Sequence, residues 1–235
     1  MRLDKFLSDM GVLSRSESKR MARSGAITVN GIAARDTSVH IDPEKDIVVC
    51  GGETITYSRF VYIMLNKPSG VLSATEDGDG TTVLDLLPEK YGKMGLFPCG
   101  RLDKYTLGLL ILTNDGQTAH SLLSPAHHVD KTYLYECEKP LTADDAAALE
   151  RGVDIGEKSS TRPANVEMIT PTRGHITVVE GKYHQIKRMF KSIGNAVTYL
   201  ERISFGSIPL DASLKRGEWR LLTEDEIAAL KSRIK

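Results

Sequence analysis

The chain has 235 residues, enough for one large domain or two smaller ones with a sizeable core. Hydrophobic residues make up 40% and charged residues 26%, the ordinary balance of a globular protein, and no apolar stretch approaches the ~18 residues of a membrane span. The three cysteines, at 50, 99 and 137, form no spaced pair, which excludes a disulfide framework or a zinc site and fits a reducing, cytoplasmic setting.

Formal charge balances, with 31 basic and 31 acidic side chains, but it is unevenly spread. Residues 1–25 carry Arg2, Lys5, Arg15, Lys19, Arg20 and Arg23 against Asp4, Asp9 and Glu17. Residues 182–202 carry Lys182, Lys187, Arg188, Lys191 and Arg202 against Glu201. Acids dominate residues 136–157. This predicts two basic surfaces with acidic ones elsewhere.

The opening MRLDKFLSDM is amphipathic and lacks the form of a signal peptide. Leu3, Phe6, Leu7 and Met10 line one helical face that Gly11 ends. Ser14-Arg15-Ser16-Glu17 has capping-box spacing and opens a second helix, stopped by Gly25. Its exposed positions carry Lys19, Arg20 and Arg23. Residues 26–29 read as a strand, Asn30-Gly31 as a hairpin turn, and Ile32-Ala33-Ala34 as the return. A further strand at 47–50 meets a turn at Gly51-Gly52. Two short helices and a hairpin, with cations on the helices, suit contact with an RNA backbone, where Arg and Lys give affinity and position rather than sequence readout. A solvated helix face has the same pattern.

Residues 57–60 read as a linker, dividing the chain into 1–58 and 59–235. Val61 to Leu65 form an apolar strand, Asn66-Lys67-Pro68-Ser69-Gly70 a turn, and Val71-Leu72-Ser73 a returning strand. Glu76-Asp77-Gly78-Asp79-Gly80 is no calcium loop, because its twelfth position from Asp77 is Pro88. Thr82 to Leu87 reads as a short helix ended by Pro88.

The segment Cys99 to Gly116 organises the rest of the chain. Leu107 to Leu112 is an apolar run interrupted by one glycine, a buried strand, and Asn114-Asp115-Gly116 closes it. Ahead of it, Gly100-Arg101-Leu102-Asp103 sets one carboxylate beside one cation on a loop held by a rigid strand. Such an Asp also commonly closes an Asx-turn.

Gln117 to Leu123 reads as a helix stopped by Pro125, and His127-His128 as loop. Lys131 to Glu136 alternates as a strand with Tyr133 and Tyr135 on one face, and Thr142 to Arg151 is helical. Strands are expected at 162–169 and 175–180. The stretch 181–190 opens a helix whose buried face is Ile186, Met189, Phe190 and Ile193, with Arg188 at its border. An arginine there can direct its guanidinium inward at a carboxylate. Val197 to Phe205 is a strand, and a last helix begins at Thr223. Strands joined mainly by turns predict an α+β fold around an antiparallel or mixed sheet.

These motifs carry a resemblance. G-R-L-D-x-x-T-x-G-L-L-x-L-T-N-D-G, matched from Gly100 to Gly116, resembles the signature of the RsuA-type pseudouridine synthases. M-R-L-D-K-F-L, S-R-S-E and G-A-I-T-V-N-G are similar to the S4 RNA-binding domain. N-K-P-x-G and E-G-x-x-H-Q-I-K-R-M are similar to two further family motifs. The resemblance implies an S4 module followed by a pseudouridine synthase domain with a central cleft. It implies that Asp103 is catalytic, that Tyr133 packs on the target uracil, that Arg188 pairs with Asp103 and that Leu200 lies near the cleft. Arg101 would bind substrate and Lys67 would contact a phosphate, while Arg2, Lys5, Arg15, Lys19, Arg20 and Arg23 would meet RNA.

The implied reaction breaks a C–N glycosidic bond and re-forms a C–C bond to the same base. It is redox-neutral and needs no cofactor, and the sequence shows no P-loop, Rossmann glycine triplet or metal constellation. It needs one ionised carboxylate in an enclosed pocket, a compensating cation, and an aromatic ring to hold the detached base. The short C-terminus, T-E-D-G-D-G-T-T-V-L-D-L-L and T-R-P-A-x-V-E are most like the small-subunit branch, implying one uridine in the 5′ domain of 16S rRNA. Large-subunit enzymes acting on 23S rRNA share the core, and the S4 module alone also fits a non-catalytic ribosome-assembly factor. No apolar stripe is left over, which predicts a monomer.

Overall fold

The computed structural model describes residues 1–124 and 126–232. Helices α1 (Leu3–Asp9) and α2 (Arg15–Arg23) pack on a four-stranded sheet of β1 (Ile27–Val29), β2 (Ile32–Ala33), β3 (Val48–Cys50) and β4 (Glu53–Ile55), in the order β2-β1-β3-β4. The capping box forms as the sequence predicts: Ser14 Oγ accepts from Glu17 N and the Glu17 carboxylate accepts from Ser14 N at 2.8 Å. Leu3, Phe6 and Leu7 are buried against Ile27 and Val48. Strand β4 escapes the sequence reading because Glu53 and Thr54 are exposed and give no apolar signal.

The second unit contains β5 (Tyr62–Lys67), α3 (Glu89–Lys93), β6 (Phe97–Pro98), β7 (Leu107–Thr113), α4 (Gly116–Leu123), β8 (Lys131–Cys137), α5 (Ala143–Arg151), β9 (Asn165–Thr170), β10 (Arg173–Val178), α6 (Gln185–Ser192), β11 (Val197–Phe205), β12 (Ile208–Pro209), β13 (Trp219–Leu221) and α7 (Glu224–Ser232). One nine-stranded sheet runs β13-β5-β7-β11-β8-β10-β9, with β6 paired to β7 and β12 to β11. Every pairing is antiparallel except β7 with β11, so the mixed sheet is two antiparallel halves joined along one parallel seam. The α+β class is as expected.

Both faces of the sheet are covered, which is why β5 and β7 read as continuous apolar runs rather than alternating ones. Ile63, Leu65, Leu110 and Leu112 face a core completed by Leu149 of α5 and Ile186, Met189 and Phe190 of α6. Tyr62, Met64, Leu109 and Ile111 face the opposite core with Ala119 and Leu122 of α4 and Leu230 of α7. Glycine at 108 is a requirement of the seam. Its φ is +97°, and a Cβ there would lie 2.3 Å from the Arg202 carbonyl oxygen.

The region 71–87 differs from expectation. The returning strand at 71–73 is a single bridge between Leu72 and Thr82. The helix expected at 82–87 is a turn, because the Asp85 carboxylate accepts from both the N and Oγ1 of Thr82, at 2.7 and 2.9 Å. The helix comes after Pro88, as α3. Its Lys90, and Met94 just after it, lie against Gly11, which brings the two units together at the end of α1. Pro125, expected to stop α4, lies outside the described residues.

Candidate active site

Strand β6 pairs with the end of β7, and the chain between them forms the loop that carries Arg101, Leu102 and Asp103. Five contacts fix this loop. The Leu102 side chain is buried in the core, worth about 1.5–3 kcal/mol. Ser73 Oγ accepts from Leu102 N at 3.1 Å and donates to Leu102 O at 2.9 Å. Thr106 N donates to Asp103 O at 3.0 Å, and Gly70 N to Lys104 O at 2.8 Å.

The remaining contact corrects the expectation for Lys67. This residue ends β5, whose six positions are all buried, and it presents no cation to a phosphate. Its Nζ donates to the carbonyls of Pro68, Lys104 and Thr106, each at 3.0 Å, the last two belonging to the Asp103 loop. Burial pushes the Lys67 ammonium down to about 8, Asp103 opposes that fall, and Lys187 adds slightly to it.

Asp103 opens onto a narrow cavity of about 70 Å³ whose walls include Arg101, Tyr133, Leu200 and Lys187. Tyr133 and Leu200 are both buried, on β8 and β11. Arg101 stands exposed at the rim, with no ion pair among the described residues. Thr106 also lines the cavity, and its buried Oγ1 has no hydrogen-bond partner among the described residues. Of the tyrosine pair on β8, only Tyr133 belongs here. Tyr135 is core, its ring 4.9 Å from that of Phe190.

The cation on Asp103 is Lys187, with Nζ 2.8 Å from Oδ2. Arg188 is not brought to Asp103. Consecutive helical residues point about 100° apart, and on α6 the two cations diverge. The Arg188 guanidinium turns to the loop at 155–157, where Nη1 donates to Glu157 at 2.8 Å and to Tyr183 O at 3.0 Å, and Nη2 to Ile155 O. Side-chain exposure does not separate the pair, being 34% for Lys187 and 28% for Arg188. The helical step, however, sets Lys187 about 110° and Arg188 about 150° from the centre of the buried face of Ile186, Met189, Phe190 and Ile193, which favours Lys187. His184, to which the sequence reading gives no role, is the second neighbour, with Nε2 3.6 Å from Asp103 Oδ1. It holds a left-handed backbone, φ 48° and ψ 35°, at the entry to α6. Among the described residues no group of three or more His, Cys, Asp or Glu is arranged to hold a metal.

The RNA pseudouridylate synthase family matches residues 61–192, and the S4 domain matches residues 1–48. The chain belongs to the RNA pseudouridine synthase family. It is 43% identical over 231 residues to the ribosomal small subunit pseudouridine synthase A of Escherichia coli K12, covering 98% of this chain and 100% of that one. It is 47% identical over 234 residues to the uncharacterized RNA pseudouridine synthase YtzG of Bacillus subtilis 168, with 98% of each chain covered. A solved pseudouridylate synthase matches with a TM-score of 0.69 at 39% identity, over 98% of this chain and 99% of that one.

The two cations of α6 should therefore behave differently in this synthase. Lys187→Ala is expected to lower kcat about 100-fold or more with RNA affinity within about threefold, because it strips the carboxylate of its counter-charge. Arg188→Ala is expected to lower the melting temperature and to retain most of the turnover. Single-turnover kinetics with thermal unfolding of both variants checks this, and the reverse ranking would return Arg188 to the site.

Lys67 gives a pH signature. Between about 8 and the unfolded lysine value of about 10.4, the unfolded chain binds the proton that the folded chain has released. The wild type should accordingly gain stability relative to Lys67→Met as pH rises through that window. Urea unfolding of both proteins at about pH 7.5 and about pH 10 measures the difference.

Proposed function

We propose that this synthase isomerises one uridine to pseudouridine in 16S rRNA, with Asp103 as its catalytic carboxylate. The juxtaposition of Asp103, Lys187 and Tyr133 around one narrow cavity carries this reading. The target base must leave the RNA stack to reach such a cavity. Ionised Asp103 is then the group available to act at the sugar, either by attack at C1′ or by removal of a sugar proton. Lys187 holds the carboxylate in position for the first bond change, in which the negative charge passes from Asp103 to the departing uracil, and again once the base has re-bonded through C5, lost its C5 proton and released the carboxylate. The ring of Tyr133 offers the detached uracil a surface on which to turn from N1 to C5. Leu200 supplies apolar wall, and exposed Arg101 suits a phosphate of the flipped nucleotide. The full-length similarity to a small-subunit enzyme supports 16S over 23S RNA.

The N-terminal module supplies affinity. Arg15, Lys19 and Arg23 recur every fourth residue along exposed α2, beside Arg20, and none has an ion pair among the described residues. Arg2 and Lys5 are differently placed from what the sequence reading expects. Arg2 is held in a bidentate pair with Asp4, at 3.0 and 2.7 Å, and Lys5 pairs with Asp9 at 2.8 Å, so local carboxylates offset both charges. The phosphate-binding face is accordingly the stripe on α2.

Incubation of unmodified 16S rRNA, free and as assembled particles, with wild type and Asp103→Asn tests the reaction. Pseudouridine at one position with the wild type only is the expected result. Modification of 23S RNA alone overturns the substrate, and equal product from both proteins overturns Asp103. For the RNA-binding face, the double change Lys19→Ala with Arg23→Ala should flatten the slope of log K against log salt by about 0.7–0.9 per charge removed. Lys5→Ala should leave the slope nearly unchanged.

A further inference from the structure

A second cleft, of about 490 Å³, adjoins the cavity and shares Arg101, Asp103 and His184 with it. Its outer wall is Tyr183. The Tyr183 and His184 rings are stacked, with centroids 3.9 Å apart and planes 20° from parallel. One face of Tyr183 is thus covered while the residue stays 72% exposed, more than any other aromatic side chain among the described residues. The arrangement is held firmly. His184 occupies its left-handed backbone, uncommon for a residue with a side chain, and Arg188 Nη1 donates to the Tyr183 carbonyl at 3.0 Å. The same cleft is lined by Arg101, Lys104 and Asp77; both cations are exposed, and neither has an ion pair among the described residues.

A preformed aromatic platform faced by free cations is the chemistry that binds a single-stranded nucleotide: the base stacks and the phosphate is neutralised. A uridine inserted at Asp103 brings its neighbours in the chain to the cavity mouth, already unstacked on the side it has left. We propose that this cleft is a subsite for the nucleotide flanking the target uridine. Its base lies on the free face of Tyr183, and Arg101 takes the intervening phosphate. The subsite rests on the reading that the uridine enters the Asp103 cavity. It gives the synthase a grip on RNA next to the reacting base, separate from α2, and places discrimination among neighbouring bases at Tyr183.

A double-mutant cycle tests it, using an oligonucleotide of the modified 16S region in which the residue on either side of the uridine is made abasic. Stacking of one base is worth about 5- to 150-fold. Tyr183→Ala should lower kcat/KM on intact RNA by about tenfold, and Tyr183→Phe should restore it. An abasic residue on one side of the uridine should cost the wild type a similar factor and cost Tyr183→Ala almost nothing more. Losses that multiply, or an abasic residue without effect on both sides, would overturn the subsite. The same cycle run on the RNA affinity of Asp103→Asn reads the subsite without turnover. Absence of product from the wild type on intact RNA, with the affinity cycle still coupled, would count against the assigned reaction and for the subsite. An affinity cycle that shows no coupling while the wild type modifies the RNA would do the opposite.

Discussion

Lys67 Nζ is out of contact with water and within 3.0 Å of three carbonyl oxygens, two of them in the loop that carries Asp103. An ammonium buried in this way is costly unless its donors are satisfied, and here each N–H meets a carbonyl dipole. The cation in return fixes where those carbonyls lie. The backbone on either side of Tyr105 is tied down, and Asp103 inherits its position from them. Ser73 and Leu102 hold the other end of the loop. The carboxylate is thereby set before any RNA arrives, and its counter-ion need only reach it from α6.

The strong periodic elements were legible in the sequence because one physical signal dominated each. The apolar run at 107–112 is β7, the alternation at 131–136 is β8, and the Ser14 capping box opens α2. The elements missed are short or exposed, such as β4 and β12, or were displaced by a side chain competing for the backbone, as Asp85 does at 82–87. The site was legible by motif but not by direction. The sequence reading sets Arg188 alone at the border of the buried face of α6, whereas in the fold Arg188 is drawn to the loop at 155–157 and Lys187 meets Asp103. Lys67 shows the same limit. A lysine before proline in a turn reads as a surface cation, and although the apolar run at 61–65 marks a strand buried on both faces, nothing local reveals that the strand continues to Lys67.

In the proposed function the two units divide the work of recognition. The N-terminal module carries unpaired cations on α2 and packs at Gly11 against α3, while its Arg2 and Lys5 are occupied by neighbouring carboxylates. Charge there gives attachment that salt weakens and that is indifferent to sequence. The pocket around Asp103 and the ring of Tyr183 instead present shape and π-surface, which depend on the base and little on salt.

The seam between β7 and β11 is short, with Leu107 opposite Glu201 and Gly108 opposite Arg202. Asp103 precedes one side of it, and Tyr133, Lys187 and Leu200 come from the other. The groups of the proposed site therefore straddle a junction that needs only a glycine and a two-residue register to be preserved. Either half can lengthen its outer hairpins or change its edge strands without disturbing the distance between carboxylate and lysine. Such an architecture lets the surfaces that choose an RNA diverge rapidly while the chemistry at the centre stays constant.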